Sequence, residues 1–297
     1  MPSLKEVRGR IQSVNSTQQI TKAMKMVAAA KLRRAQENIL RLRPYSEKLT
    51  EILNNVSATL DTQSENPYAE ERETKKILIV AITSDRGLAG AFNSNIIKAV
   101  NALLESRYPD KLSKGDVDIL CIGKKGFEAL TRKNFKTISE YVNLFSTLHF
   151  ESVKKAAEYC MDSFVQKKYD RVYVIYNEFK NIATQIVRTT QFLPPVKEVS
   201  LKKKKDTPKI YTDYIFEPSK EEIIQELIPK SLKVQFYKFV LESNASEHGA
   251  RMTAMDKATD NAKELLKELR LIYNRTRQAS ITKEILEIVG GAEALNK

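Results

Sequence analysis

The sequence predicts an α/β fold with long helices: an antiparallel coiled coil of the N- and C-terminal helices with an inserted Rossmann-like α/β domain. Three observations carry this. The last third, from Lys230 to Val289, runs sixty residues with no proline and Gly249 as its single glycine. The first sixty residues keep a strict seven-residue apolar repeat. Between them, apolar runs of strand length alternate with glycine turns and helical patterns, the signature of a layered domain with a mostly parallel sheet.

In the N-terminal segment, residues 1–60, Leu4, Ile11, Leu32, Ile39, Leu53 and Leu60 share one heptad position. Val7, Val14, Ala28, Ala35, Leu42, Leu49 and Val56 share the other. Two such helices in one chain most simply pair antiparallel. Gln18, Thr21 and Lys25 interrupt the seam, so pairing there is slim: either the polar groups fix the register, or this face meets a different partner. Pro44 removes one ladder bond and is expected to bend the helix or start a new piece. Residues 61–75, with Asn66-Pro67, read as a linker.

The middle, residues 76–195, opens on Lys76 to Thr83, an apolar run expected of a strand buried on both faces. It is followed by Ser84-Asp85-Arg86-Gly87-Leu88-Ala89-Gly90 and a helix from Asn93 to about Arg107. Val117 to Ile122 repeats the pattern, with Gly123 to Gly126 as the turn and a helix to about Lys133. A third strand is expected near Thr137 to Tyr141 and a helix over Glu151 to Lys167. A strand from Arg171 to Tyr176 and an antiparallel edge strand over Ala183 to Phe192 complete the set. Neither glycine turn matches a dinucleotide fingerprint or a phosphate loop, so no cofactor is expected. Asp85 and Arg86 lack a His, Cys or paired carboxylate to complete a catalytic constellation, and an internal ion pair or a partner contact is the better reading.

Residues 196–218 hold the basic run Lys202 to Lys205 and the aromatic stretch Tyr211 to Pro218, which either packs on the domain or docks elsewhere. The C-terminal segment, 219–297, carries its apolar or small residues at alternating three- and four-residue steps. These run Leu241, Ala245, His248, Met252, Met255, Thr259, Ala262, Leu266, Leu269, Tyr273 and Thr276. At a rise of about 1.5 Å per residue, Lys230 to Val289 would span roughly 90 Å and must project from its domain.

Composition narrows the function. The net charge of +13 is concentrated at the start, where residues 1–60 carry 11 basic and 4 acidic side chains. A basic helix suits nucleic acid, anionic lipid or an acidic protein surface, or is simply a solvated face. Nucleic acid is disfavoured, because no stacking aromatics or reading module accompany the charge. Two cysteines and two histidines complete no usual metal signature, so no metal site and no disulfide scaffold are expected. No apolar run approaches a membrane span, the start lacks a signal-peptide core, and a reducing cytoplasm is the default.

Three stretches carry a resemblance: Ile20 to Lys31 (ITKAMKMVAAAK), Ser84 to Leu88 (SDRGL), and Ile281 to Ala294 (ITKEILEIVGGAEA). From end to end the chain resembles the gamma subunits of bacterial F-type ATP synthases. Ala89 stands where that family often has cysteine, and the cysteine-bearing insert of the chloroplast relatives is absent. The resemblance implies a non-catalytic rotor shaft at the cytoplasmic face of the bacterial inner membrane, peripheral to it, coupling proton flow to ATP synthesis or hydrolysis. It implies alpha, beta and epsilon subunits and a ring of c subunits as partners. It implies beta-subunit contacts at Lys22, Met24, Lys25, Lys31, Arg33, Arg34, Arg251, Arg277 and Gln278, and membrane-ring contacts at Phe216 and Glu217. On pattern alone, the alternative is a structural coiled-coil adaptor without a motor role.

Overall fold

The computed structural model describes residues 3–58, 66–182, 184–195 and 220–295. Twelve regular elements follow one another among these: α1 (Leu4–Ala58), β1 (Ile77–Ile82), α2 (Phe92–Arg107), α3 (Pro109–Lys114), β2 (Val117–Ile122), α4 (Lys124–Arg132), β3 (Lys136–Ile138), a 3₁₀ turn (Leu144–Thr147), α5 (Phe150–Val165), β4 (Arg171–Phe179), β5 (Gln185–Leu193) and α6 (Lys220–Leu295). By contacts the chain divides into two units, Met1–Ala30 with Arg251–Lys297, and Lys31–Ala250.

In the first unit, parts of α1 and α6 lie side by side. Val7, Thr21 and Ala28 of α1 are buried, and so are Met255, Ala262, Leu266 and Leu269 of α6. The steps between these positions are combinations of three and four, so each set forms one stripe on its helix. Thr21 lies beside Thr259 and Lys25 beside Asp256, so one helix number falls as the other rises. The pairing is antiparallel, as the heptads predict.

The second unit is built on a five-stranded sheet of order β3-β2-β1-β4-β5. β1 pairs in parallel with β2, from Ile77 opposite Val117 to Ile82 opposite Ile122, and with β4 on its other side. β5 closes one edge antiparallel to β4. Every residue of β1 and β2 is buried, because helices cover both faces. One face packs Leu78, Val80 and Val174 against Val153, Ala157 and Phe164 of α5 and Phe236 and Val240 of α6. The other packs Ile77, Ile79 and Ile119 against Ile96, Val100 and Leu104 of α2. In this unit α1 continues its stripe with buried Leu32, Ala35, Ile39 and Leu49.

Four expectations need correction. Helix α1 runs through Pro44 without a break. Proline frees the carbonyl four residues back, and both Pro44 and Leu40 are exposed, so water can satisfy that group. Pro229 lies inside α6 in the same way, four residues after exposed Gln225, and the helix, which starts at Lys220 within one residue of the expected 219–297 segment, runs past Val289 through Gly290 and Gly291. Gly126 is a helix residue of α4, not part of the turn. The third strand sits at Lys136–Ile138, one residue ahead of its expected start, and α3 and the 3₁₀ turn were not anticipated. The linker reading over 59–65 and the basic and aromatic stretches within 196–219 lie outside the described residues.

Close approach fixes the β2–α4 junction. Gly123 has φ +100, and a side chain there would lie 2.2 Å from the Thr83 carbonyl oxygen. The Gly126 amide donates to Thr83 Oγ1 at 2.9 Å, and a Cβ at Gly126 would meet that oxygen at 2.5 Å. Alanine is the better helix former by up to about 1 kcal/mol, but overpacking of this kind costs about 1 to 3 kcal/mol. Gly126→Ala should therefore lower the stability of the chain in urea by up to about 2 kcal/mol net, and by less in a Thr83→Ala background, where the Oγ1 and Cγ2 that crowd the site are gone.

Candidate functional site

The stretch of α1 from Gln18 to Ala30 presents two different faces. Toward α6 lie Thr21, Lys25 and Ala28. Away from it, Ile20, Met26 and Val27 are all more than half exposed. Among the positions implied as partner contacts, Lys22 is exposed and Met24 is half-buried. Lys25 is only half-exposed, because its Nζ is paired with Asp256 Oδ1 across the seam. That pair is open to water, so it contributes about 1 kcal/mol at most and acts mainly as a register clip.

Four residues above, Thr21 and Thr259 place their hydroxyl oxygens 2.8 Å apart. Thr21 donates to the Gln18 carbonyl, and Thr259 donates either to Thr21 or to the Met255 carbonyl at 2.7 Å. Asp256 and the Thr–Thr bond were not singled out from sequence. The available signal was that Thr259 falls on the seam and Asp256 stands one turn before it. At Thr21 and Lys25 the polar groups of the seam face groups of α6.

The remaining expected contacts are spread along both helices. In the second unit, Lys31 and Arg34 are exposed, and Arg33, with 84% of its side chain exposed, lies 3.4 Å from Glu37 on its own helix. In the first unit, Arg251 is half-buried, while Arg277 and Gln278 are exposed. The Gln278 carbonyl accepts the Thr282 hydroxyl at 2.9 Å, which leaves its side-chain amide outside that bond. Phe216 and Glu217 lie outside the described residues. In the inserted domain, Asp85 Oδ1 accepts the Lys124 amide at 3.3 Å.

Past Thr276 the seam ends but the apolar residues do not. Ile281, Ile285, Leu286, Ile288 and Val289 stand open to solvent, Ile288 with 71% exposure. Among the described residues, no group of three His, Cys, Asp or Glu is gathered as for a metal. Burial pushes the Cys121 thiol up to about 12 and the Cys160 thiol higher still, so neither is poised as a nucleophile.

The sequence model of the family described as ATP synthase matches residues 3–295. A protein of Cytophaga hutchinsonii named ATP synthase gamma chain is 66% identical over 296 residues, with 100% of both chains covered. The chain belongs to the ATP synthase gamma chain family. A second gamma chain relative, from Flavobacterium psychrophilum, is 57% identical with 99% of each chain covered. The central stalk and c-ring structure of the Tetrahymena thermophila mitochondrial ATP synthase holds a similar chain, 29% identical, with a TM-score of 0.56. That match covers 80% of this chain and 99% of that one. A chain of the Euglena gracilis mitochondrial ATP synthase shares the fold at a TM-score of 0.66 and 23% identity, covering 98% of this chain and 94% of that one.

As a member of the gamma chain family, the chain is a subunit of a membrane-associated complex, and these matches do not favour a coiled-coil adaptor outside a motor. Among the described residues, no helix is long and apolar enough to cross a membrane. The seam geometry gives a direct check within the first unit. Cysteines replacing Thr21 and Thr259 should form a disulfide within a single chain under mild oxidation, visible as a mobility shift on non-reducing gels at unchanged monomer mass. Cross-linking only between chains would contradict the pairing.

Proposed function

We propose that this gamma chain is the non-catalytic rotor shaft of its complex, coupling proton flow through a membrane sector to ATP synthesis or hydrolysis in a ring of alpha and beta subunits. It works at the cytoplasmic face of the bacterial inner membrane, peripheral to the bilayer, with the epsilon subunit and a ring of c subunits as further partners. Residues 1–60 and 219–297 are the shaft helices, 61–75 a linker, 76–195 the α/β domain, and 196–218 a basic loop and foot. The observation that carries the reading is the tip of α6. A helix end that leaves Ile281, Ile285, Leu286, Ile288 and Val289 exposed is the kind of apolar surface that a partner covers. A sleeve of ring subunits is such a partner.

The contacts to the beta subunits are assigned to Lys22, Met24, Lys25, Lys31, Arg33, Arg251, Arg277 and Gln278. Exposed Lys22 and Lys31 can reach acidic loops of a ring, while Arg33 shares its charge with Glu37 and Lys25 with Asp256. Arg277 and Gln278 stand exposed on a segment that the ring would enclose. Polar groups enclosed without partners would each cost about 1 to 3 kcal/mol, so they bond to the ring. Charge-assisted bonds are worth about 1.5 to 3 kcal/mol, roughly a tenfold change in rate or more if they form in only some rotary positions.

Arg277→Ala combined with Gln278→Ala should leave the isolated subunit folded and slow steady-state ATP turnover of the assembled complex by roughly tenfold. Wild-type turnover in a fully assembled double mutant would show that no such catch forms. At the other end, Phe216 and Glu217 are assigned to the polar loops of the membrane ring, where a carboxylate can pair with arginine. Replacing both by alanine should release the catalytic ring and shaft from washed membranes several-fold more readily, while ATPase activity of the released portion stays intact. Unchanged retention and coupling would remove those two residues from the interface.

A further inference from the structure

Where α1, α5 and α6 meet in the second unit, they do not close on one another. Between them lies a chamber of about 670 Å³, within the range of about 300 to 1,000 Å³ that small-molecule sites occupy. Helical spacing assembles its walls. Leu42 and Tyr45 share a face of α1, Phe150 and Lys154 a face of α5, and Glu226, Lys230, Val234 and Tyr237 a face of α6.

The lining divides by depth. Val234 is buried, and Leu42, Phe150, Pro229 and Tyr237 are half-buried, so the floor is apolar. The Phe150 ring meets Tyr237 edge-on, with centroids 5.5 Å apart. Tyr45, Glu226 and Lys230 are exposed and mark the mouth. Three ammonium groups, those of Lys154, Lys230 and Lys233, line the chamber against the carboxylate of Glu226. Two of them have partners: Lys233 Nζ lies 2.6 Å from Glu158, and Lys154 Nζ 3.5 Å from Glu151. Among the described residues, Lys230 makes no ion pair, and the Tyr45 and Tyr237 hydroxyls make no hydrogen bond. Burial raises the pKa of Tyr237, so that hydroxyl keeps its proton. Glu226 sits at the rim, where water and salt screen its charge.

We propose that this chamber binds a fatty acid, with its chain against Leu42, Phe150, Val234 and Tyr237 and its carboxylate on Lys230 and Tyr45 at the mouth. The chemistry of the wall selects this class. An apolar floor asks for a hydrocarbon body, and donors without acceptors ask for an anion. A protein segment entering here would bring backbone N–H donors to a wall that already holds donors in excess, whereas a monocarboxylate brings acceptors alone. A bound chain touches α1, α5 and α6 together and so favours the arrangement in which the three stand as they do here. The inference is independent of the rotor reading.

The chain has no tryptophan, so Tyr45→Trp supplies a single reporter at the mouth that keeps a ring and a donor. Dodecanoate added to this full-length variant below its micelle concentration should shift the emission to shorter wavelength and saturate. Each methylene withdrawn from water is worth roughly threefold to fourfold in affinity, so octanoate should bind at least about tenfold more weakly. Dodecanol, which lacks the charge, should also bind about tenfold more weakly, and Lys230→Glu should abolish the preference for the acid. No saturable shift, equal binding of acid and alcohol, or indifference to Lys230→Glu would overturn the proposal. A diazirine-bearing dodecanoic acid photolysed with the complete complex in membrane vesicles needs no substitution, and it decides the question even where the tryptophan variant misfolds. Adducts on the peptides around Leu42, Phe150 or Val234 that excess dodecanoate suppresses support the site. Their absence would show that no fatty acid enters the chamber in the assembled complex, and would overturn the proposal equally.

Discussion

The antiparallel seam between the two terminal helices is the constraint from which the rest follows. Apolar layers on their own fix a register weakly, because one leucine or alanine layer accommodates its neighbour's partner after a slip of a heptad. The seam here includes groups that do not exchange so freely. The Thr21 and Thr259 hydroxyls meet at 2.8 Å, and Lys25 meets Asp256 beside them. A slip would leave both pairs unmade in a half-buried strip, at a cost that apolar contacts of the shifted register do not offset. Small energies suffice for this, since selection of one register requires a difference between alignments and not a strong bond.

The same constraint shapes the inserted domain. The middle segment joins the two long helices, one of which supplies Phe236 and Val240 to the sheet's core, and the sheet protects its own edges. It does so by ordinary means. β3 is three residues long and presents little edge, and the antiparallel β5 closes the opposite side with exposed Arg188 paired to Glu178 at 2.7 Å. Polar groups near the core are satisfied from sequence-distant places: the Tyr169 hydroxyl donates to Asp118 at 2.6 Å, and Lys136 reaches the other oxygen of the same carboxylate at 2.9 Å. Asp170 accepts from the amides of Lys75 and Lys76, which pins the entry of β1.

What the sequence made legible depended on how local the cause was. Strands buried on both faces are continuous apolar runs, so β1, β2 and β4 were placed to within a residue at their starts. Both long helices were readable from the repeat. The misses share a different origin. Whether proline breaks a helix depends on whether the freed carbonyl meets water, and nothing near Pro44 in sequence states that. Gly126 reads like a turn glycine, but its reason is the Thr83 side chain forty-three positions away. The Lys25 charge read as open to a partner because Asp256, which takes it up, is 231 residues distant. The tip residues read as an undifferentiated family signature, since exposure is a property of what lies opposite and not of the residues themselves.

Along α6 the degree of enclosure falls in order, and the order has a mechanical meaning. Ser243 to Ala250 is buried but for half-buried Asn244, Met255 to Leu269 is covered along one stripe, and Ile281, Ile285, Leu286, Ile288 and Val289 are exposed. An apolar side chain gains roughly 1.5 to 3 kcal/mol on full burial, so the bare tip holds back several such contributions until a partner surrounds it. Those contributions are not directional, and an apolar surface that meets apolar walls resists turning far less than one held by hydrogen bonds. On the rotor proposal, the polar groups exposed near the tip, Arg277 and Gln278, are the ones whose partners would distinguish one rotary position from the next.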